Sequence, residues 1–197
     1  LKGADGQAFG SSTKIDASFE KQLKLMNKSV EETLFGKDKD DATKTATTLE
    51  SQLAQFSFDE IDAIDVGQIT GARLDALKTT QGTLKAKVEG DVNTATTGIA
   101  GVTNTVQKQI QDAILTGDNG ALQSVFSSNP LLSGNTSVQT KLQEILRSNN
   151  VAGYQNSGRL IETKQAQTFT QAAQAISANM KAATPRYQGD TDAFLRD

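Results

Sequence analysis

Between Thr70 and Leu115, apolar side chains recur at Leu74, Leu77, Leu84, Val88, Val92, Ala95, Ile99, Val102, Val106, Ile110 and Ala113, in steps of three, four or seven. Such spacing keeps one narrow seam on one side of a helix. It predicts a single long helix from Thr70 to Leu115, on the order of 65 Å end to end at the usual helical rise. A rod of that length exceeds the width of a compact domain of this size, so the expected molecule is elongated. The seam is weak. Thr, Lys, Gln, Asn and Asp flank it, and Gln81, Gly82, Gly90, Gly98 and Gly101 interrupt it. Each interior Gly costs about 1 kcal/mol against Ala, and helices of this composition persist only by burying an apolar face. The seam from Leu74 to Ile110 is therefore a helix-partner interface, covered by the chain's own helices, by copies of itself, or by both. Gly98 and Gly101 with Ala95 and Ala100 add a small-residue patch where another backbone could come close. The alternative is that Gly90, or Gly98 with Gly101, breaks the rod into two helices joined by a loop.

The rest of the chain also reads as helices. Residues 1–14 form a glycine- and serine-rich lead-in. A first helix is expected from Lys14 to Phe35, with Ile15, Phe19, Leu23, Met26, Val30 and Leu34 on one face and Gly36 closing it. Lys37 to Asp41 is a charged connector. Ala42, Ala46, Leu49, Leu53 and Phe56 restore helical spacing. Ser57 and Glu60 form a capping box in front of Ile61 and Ile64.

After Gly117, Asp118 caps a short helix bearing Leu122, Val125 and Phe126. Ser127 to Gly134 reads as a loop pinned to the core by Leu131 and Leu132. Thr136 caps a helix carrying Val138, Leu142, Ile145 and Leu146, and Asn135, Thr136 and Ser137 match a glycosylation acceptor pattern by coincidence. Ser148 to Gly153 reads as a turn. Ser157 then opens a last long helix, with Ile161, Phe169, Ala172, Ile176 and Met180 on one face and Leu160 and Ala173 at its margin, which Thr184 and Pro185 stop. Asp190 starts a further helix. The chain begins with Leu1 and stops at Asp197 inside that start, so it reads as part of a larger polypeptide. The expected fold is all-α: an elongated helical bundle with one long central helix and a small cluster of short helices. Its divisions are a long-helix bundle over 15–116, a short-helix head over 117–153, a returning long helix over 154–184, and a linker with the start of another helix over 185–197.

Composition narrows function. The 197 residues contain no Cys, His or Trp. Thiolate chemistry, the usual general base and the commonest metal ligand are thereby removed. The formal net charge of −3 is spread over interspersed signs, so no basic stripe faces a phosphate backbone. No apolar run approaches a membrane span, and membrane contact stays open. No Gly-rich phosphate loop follows a strand, and no Ser stands beside an activating base. The most acidic spot is Asp59, Glu60, Asp62 and Asp65. Calcium would require the EF-hand spacing, which is absent. A carboxylate-based enzyme would require a paired geometry that sequence does not reveal. The plainest role of these acids is helix capping.

No catalytic residue, cofactor or metal site is expected. The profile is that of a structural, self-associating protein whose partners are further copies and other structural proteins, in a virion or an extracellular or periplasmic setting. From Tyr154 to Met180 an Ala-, Gln-, Asn- and Ser-rich helix follows Gly-Tyr-Gln-Asn. In this texture the chain resembles the internal or ejection-type structural proteins of tailed bacteriophages, and the resemblance implies a helical virion component arranged in rings. The alternative is a helical tip or translocator component of a bacterial secretion system or pilus, with Asp118 to Leu146 as its head.

Overall fold

The computed structural model describes residues 30, 32–35 and 46–187. The lead-in, the Lys37 to Asp41 connector, the Asp190 helix start and most of the Lys14 to Phe35 helix lie outside these residues. The fold is all-α. In chain order the elements are α1 (Ala46–Leu53), α2 (Phe58–Asp62), a 3-10 turn (Val66–Gln68), α3 (Gly71–Thr96), α4 (Asn104–Leu115), α5 (Asn119–Ser128), α6 (Pro130–Ser133), α7 (Thr136–Leu146) and α8 (Asn149–Tyr187). Residues 30 and 32–35 are helical as well.

Side-chain oxygens that satisfy the free N–H groups of a first turn set most of the boundaries. Ser57 accepts from the Glu60 N–H while the Glu60 carboxylate takes the Ser57 N–H, the reciprocal box expected at α2. Thr70 receives the Arg73 N–H at α3, Thr103 the Val106 N–H at α4, and Asp118 the Ala121 N–H at α5. At α7 the cap is Asn135, which accepts from the Val138 N–H at 3.2 Å; Thr136, the expected cap, is the first helical residue. An amide oxygen one position earlier satisfies the same donors.

The rod expected from Thr70 to Leu115 is two helices. Gly90 lies inside α3, whereas Gly98 and Gly101 take positive φ of 81° and 83° in the loop that turns α3 back into α4. L-residues avoid that conformation and glycine adopts it freely. The two helices then run antiparallel. Gln111 Nε2 donates to Asn93 Oδ1 and Gln107 Nε2 to Thr96 Oγ1, both at 3.0 Å, pairing late positions of α3 with early-to-middle positions of α4.

The glycines make the break testable. Gly90→Ala adds a methyl group into open space on a regular helix and is expected to raise stability by about 1 kcal/mol. Gly98→Ala meets no atom but forces an L-residue into left-handed backbone, for a loss of about 1–2 kcal/mol. Gly101→Ala should lose at least as much, because its new Cβ would stand 2.6 Å from Leu131 Cδ1. Urea unfolding of the three variants checks the order; an unbroken helix would give gains at all three.

The core consists of two adjoining clusters. In the first, Leu34, Phe35, Leu49, Leu53, Ile61, Ile64, Val66 and Ile69 surround Leu77 of α3 and Leu160 and Ile161 of α8. In the second, Ile110, Ile114, Leu122, Phe126, Leu132 and Leu142 surround Val88 and Val92 of α3 and Val151 of α8. Along α3 the order is Leu77 then Val88, and along α8 Val151 then Leu160. These two helices therefore lie antiparallel and form the spine that both clusters share, with the most extensive helix contact among the described elements.

Three further expectations are corrected. Pro130 occupies the first helical position of α6 beneath an Asn129 cap, a place where its missing N–H costs nothing. The stretch is thus a helical turn instead of a loop, and of its two leucines only Leu132 is buried while Leu131 is exposed. The last long helix begins at Asn149, where a turn was expected. Ser148 Oγ accepts from the Val151 N–H, and Ser157 is a buried residue within the helix whose hydroxyl donates to the Tyr154 carbonyl at 2.8 Å. At the other end the helix passes Thr184 and Pro185 and is described as far as Tyr187. Pro185 removes one hydrogen bond near the terminus without ending the helix there.

Candidate assembly surface

The seam residues from Leu74 to Ile110 face the chain's own helices. Leu77, Leu84, Val88, Val92 and Ile110 are buried; Leu74, Ala95, Ile99, Val102 and Val106 are half-buried against the two clusters. Ile99 and Val102 belong to the loop, which tucks them onto the second cluster and so keeps the spacing in step across the break.

The four acids at Asp59 to Asp65 do not converge. The Glu60 carboxylate receives the Ser57 N–H and hydroxyl, both at 2.8 Å. Asp65 caps the 3-10 turn through the Gly67 N–H, Asp62 pairs with Arg159 at 2.7 Å, and Asp59 is exposed. Among the described residues no three acidic side chains are placed to hold a metal ion. The hydrogen bonds from the Ser57 backbone and hydroxyl pull the Glu60 carboxyl below its ordinary range. The stabilisation that accompanies this is complete above the unfolded-state value and is lost as pH falls through the lower folded value. Ser57→Ala removes the hydroxyl but keeps the backbone N–H, so it should move the Glu60 titration, followed by carboxyl NMR, only part of the way back towards an ordinary glutamate; an unchanged midpoint would show that the hydroxyl contributes nothing to the shift.

Among the described residues, two open clefts bear on function. One, of about 570 Å³, lies between α4 and α5 with Gln109, Asp112, Thr116, Ser124 and Asn129 on its walls. The other, of about 440 Å³, lies beside Phe58, Gln81, Tyr154 and Arg159. The Arg159 guanidinium stacks on the Phe58 ring at 4.3 Å while holding Asp62, so its charge is engaged in fastening α2 to α8. Neither cleft gathers a nucleophile with a base or an orphaned buried charge.

The surface that stands apart is the outer part of α8. Up to Ile161 its inward residues are buried: Val151, Gly153, Asn156, Ser157, Leu160 and Ile161. Asn156, 1 % exposed, donates from Nδ2 to the Leu53 and Phe56 carbonyls at 2.7 and 2.9 Å and so fastens α8 to the end of α1. Beyond Ile161 the helix leaves the body. From Glu162 to Lys181 every side chain is exposed except those of Lys164 and Gln167, which are half-buried and hydrogen-bonded to each other.

No family model, curated protein or solved structure matches this chain. Among the described residues, the three most exposed large apolar side chains all lie on the outer part of α8. Phe169 is 77 % exposed, Ile176 60 % and Met180 67 %. Single exposed apolar residues are ordinary; here three large ones recur along one stretch of helix. The stretch from Glu162 to Tyr187 is about 40 Å long at the usual rise. Among the described residues no helix is long and apolar enough to cross a membrane. The sequence pattern places Phe169, Ala172, Ile176 and Met180 on one face of the helix; that the body ends at Ile161 has no signal in that local pattern.

Proposed function

We propose that this chain is a non-catalytic structural protein that self-associates through its helices, with the outer part of α8 as its assembly surface. The observation that carries this is the row of Phe169, Ile176 and Met180 on a helix that runs some seven turns beyond the body at 3.6 residues per turn. Such a helix, on its own in water, is marginal, and a row of large apolar side chains gains most of its stability by being covered. The engagement of the Glu60, Asp62 and Asp65 carboxylates, as caps and an ion pair, and the absence of His and Cys from the sequence support a structural rather than a catalytic role. The setting we favour is a bacteriophage virion, as an internal or ejection-type component, on the texture of the helix from Tyr154 to Met180.

Sedimentation velocity across a wide concentration series tests self-association. The expected result is a defined oligomer that dissociates on dilution while the helices of the body persist. A monomer at every concentration would contradict it.

A further inference from the structure

Resting on the reading that the chain self-associates, we infer that the outer part of α8 pairs with the same helix of a second copy, and that the two run antiparallel. Three features argue for this occupant and this direction. The first is charge. From Gln165 to Met180 the sequence contains no Asp, Glu, Lys or Arg. A charged partner would find no counter-charge along this face, whereas an identical helix meets no like-charge repulsion.

The second is the spacing of side-chain sizes. Ala166, Phe169, Ala173, Ile176 and Met180 follow steps of three and four without interruption, the seam of a two-stranded left-handed coiled coil. Small and large residues alternate along it up to Ile176. In an antiparallel pair, with Phe169 set opposite the partner's Met180, Ala173 falls opposite the partner's Ile176. Each of the two middle layers then holds one large and one small side chain, and the outer layers bring a thioether against an aromatic ring, a favourable contact. A parallel pair in register would set Ala against Ala and Ile against Ile, alternating gaps with crowding.

The third is the body. α1, α2, α3 and α4 pack against the first part of α8, up to Ile161. Paired helices lie about 8–10 Å apart. Two helices pointing the same way would force two bodies together at one end; antiparallel helices put them at opposite ends, and their dipoles then oppose favourably.

Since the chain has no cysteine, single Cys residues can be spin-labelled without background. Lys164→Cys and Lys181→Cys, each on the full chain, are labelled separately and measured by double electron–electron resonance alone and mixed. Antiparallel pairing predicts labels on two Lys164→Cys chains about 30 Å apart along the helix, but close together when Lys164→Cys chains are mixed with Lys181→Cys chains. Parallel pairing predicts the reverse. The reverse pattern, or an associated protein with no distance between labels in either range, overturns the antiparallel pairing while leaving self-association standing. A protein that sediments as a monomer and shows no distance between chains defeats the self-association reading itself.

Discussion

Asn156→Asp is expected to lower the unfolding free energy by about 3–5 kcal/mol at neutral pH, the cost of holding a carboxyl, by protonation or as a charge, in a buried site that offers it no donor. The substitution keeps the shape of the side chain and reverses its chemistry. In the native protein the Asn156 amide donates to the carbonyls of Leu53 and Phe56 from a site 1 % exposed. The Leu53 carbonyl ends α1, where the helix itself supplies no partner, and the Phe56 carbonyl lies in the bend that follows. A carboxylate there would face two acceptors with nothing to donate. The variant's carboxyl would be held protonated in the fold, with its folded value raised above the unfolded one near 3.9. Its deficit should therefore be smallest in acid and grow as pH rises through the raised folded value. Asn156→Leu removes both hydrogen bonds without adding a charge and is expected to cost about 2–4 kcal/mol with no pH dependence. Urea melts of both variants across pH check the pattern; a pH-independent Asn156→Asp would show that the side chain is not held between these carbonyls.

The second large effect is on association rather than folding. Phe169→Asp combined with Ile176→Asp is expected to raise the dissociation constant of the oligomer at least about a hundredfold, since burying each large apolar side chain contributes about 1.5–3 kcal/mol and a tenfold change in affinity corresponds to 1.4 kcal/mol. Body stability should be unchanged, because Phe169 is 77 % and Ile176 60 % exposed and neither belongs to a core cluster. Leu77→Ala provides the opposite control. Leu77 is fully buried between α3 and its neighbours, so truncation should cost about 2–5 kcal/mol of folding stability while leaving the α8 surface intact. Equal association of the double variant and the native chain would place assembly elsewhere.

These two positions also show what local sequence pattern reveals. Caps are local, so Ser57 with Glu60 and Asp118 were legible from residue type and spacing alone. The seam from Leu77 to Ile110 was legible because burial follows helical periodicity. Its division into α3 and α4 was not, since Ile99 and Val102 keep the spacing while lying in a loop that packs on the same cluster. The start of α8 was hidden for a different reason. The face it buries is made of Gly153, Asn156 and Ser157 as well as Val151 and Leu160, and small or polar residues leave no hydrophobic signal. The end of the body was hidden as well. Ile161 and Phe169 lie in the same apolar row, yet one is 7 % and the other 77 % exposed, a difference set by where α1, α2 and α3 stop and invisible in α8 itself. Arg73 is a similar case: a charged residue in an exposed-looking helix start, buried with its guanidinium over Phe35 and donating to the Gln68 carbonyl.

Amide hydrogen exchange, followed peptide by peptide over a dilution series, tests most directly the claim that one chain combines a body that closes its own apolar surface with a helix that does not. The account predicts strong protection of α3, α4 and the part of α8 up to Ile161 at every concentration, with protection from Gln165 to Met180 that appears only as the protein associates. Protection of Gln165 to Met180 as strong as that of the body in a dilute monomer, or loss of protection in α3 on dilution, would contradict it.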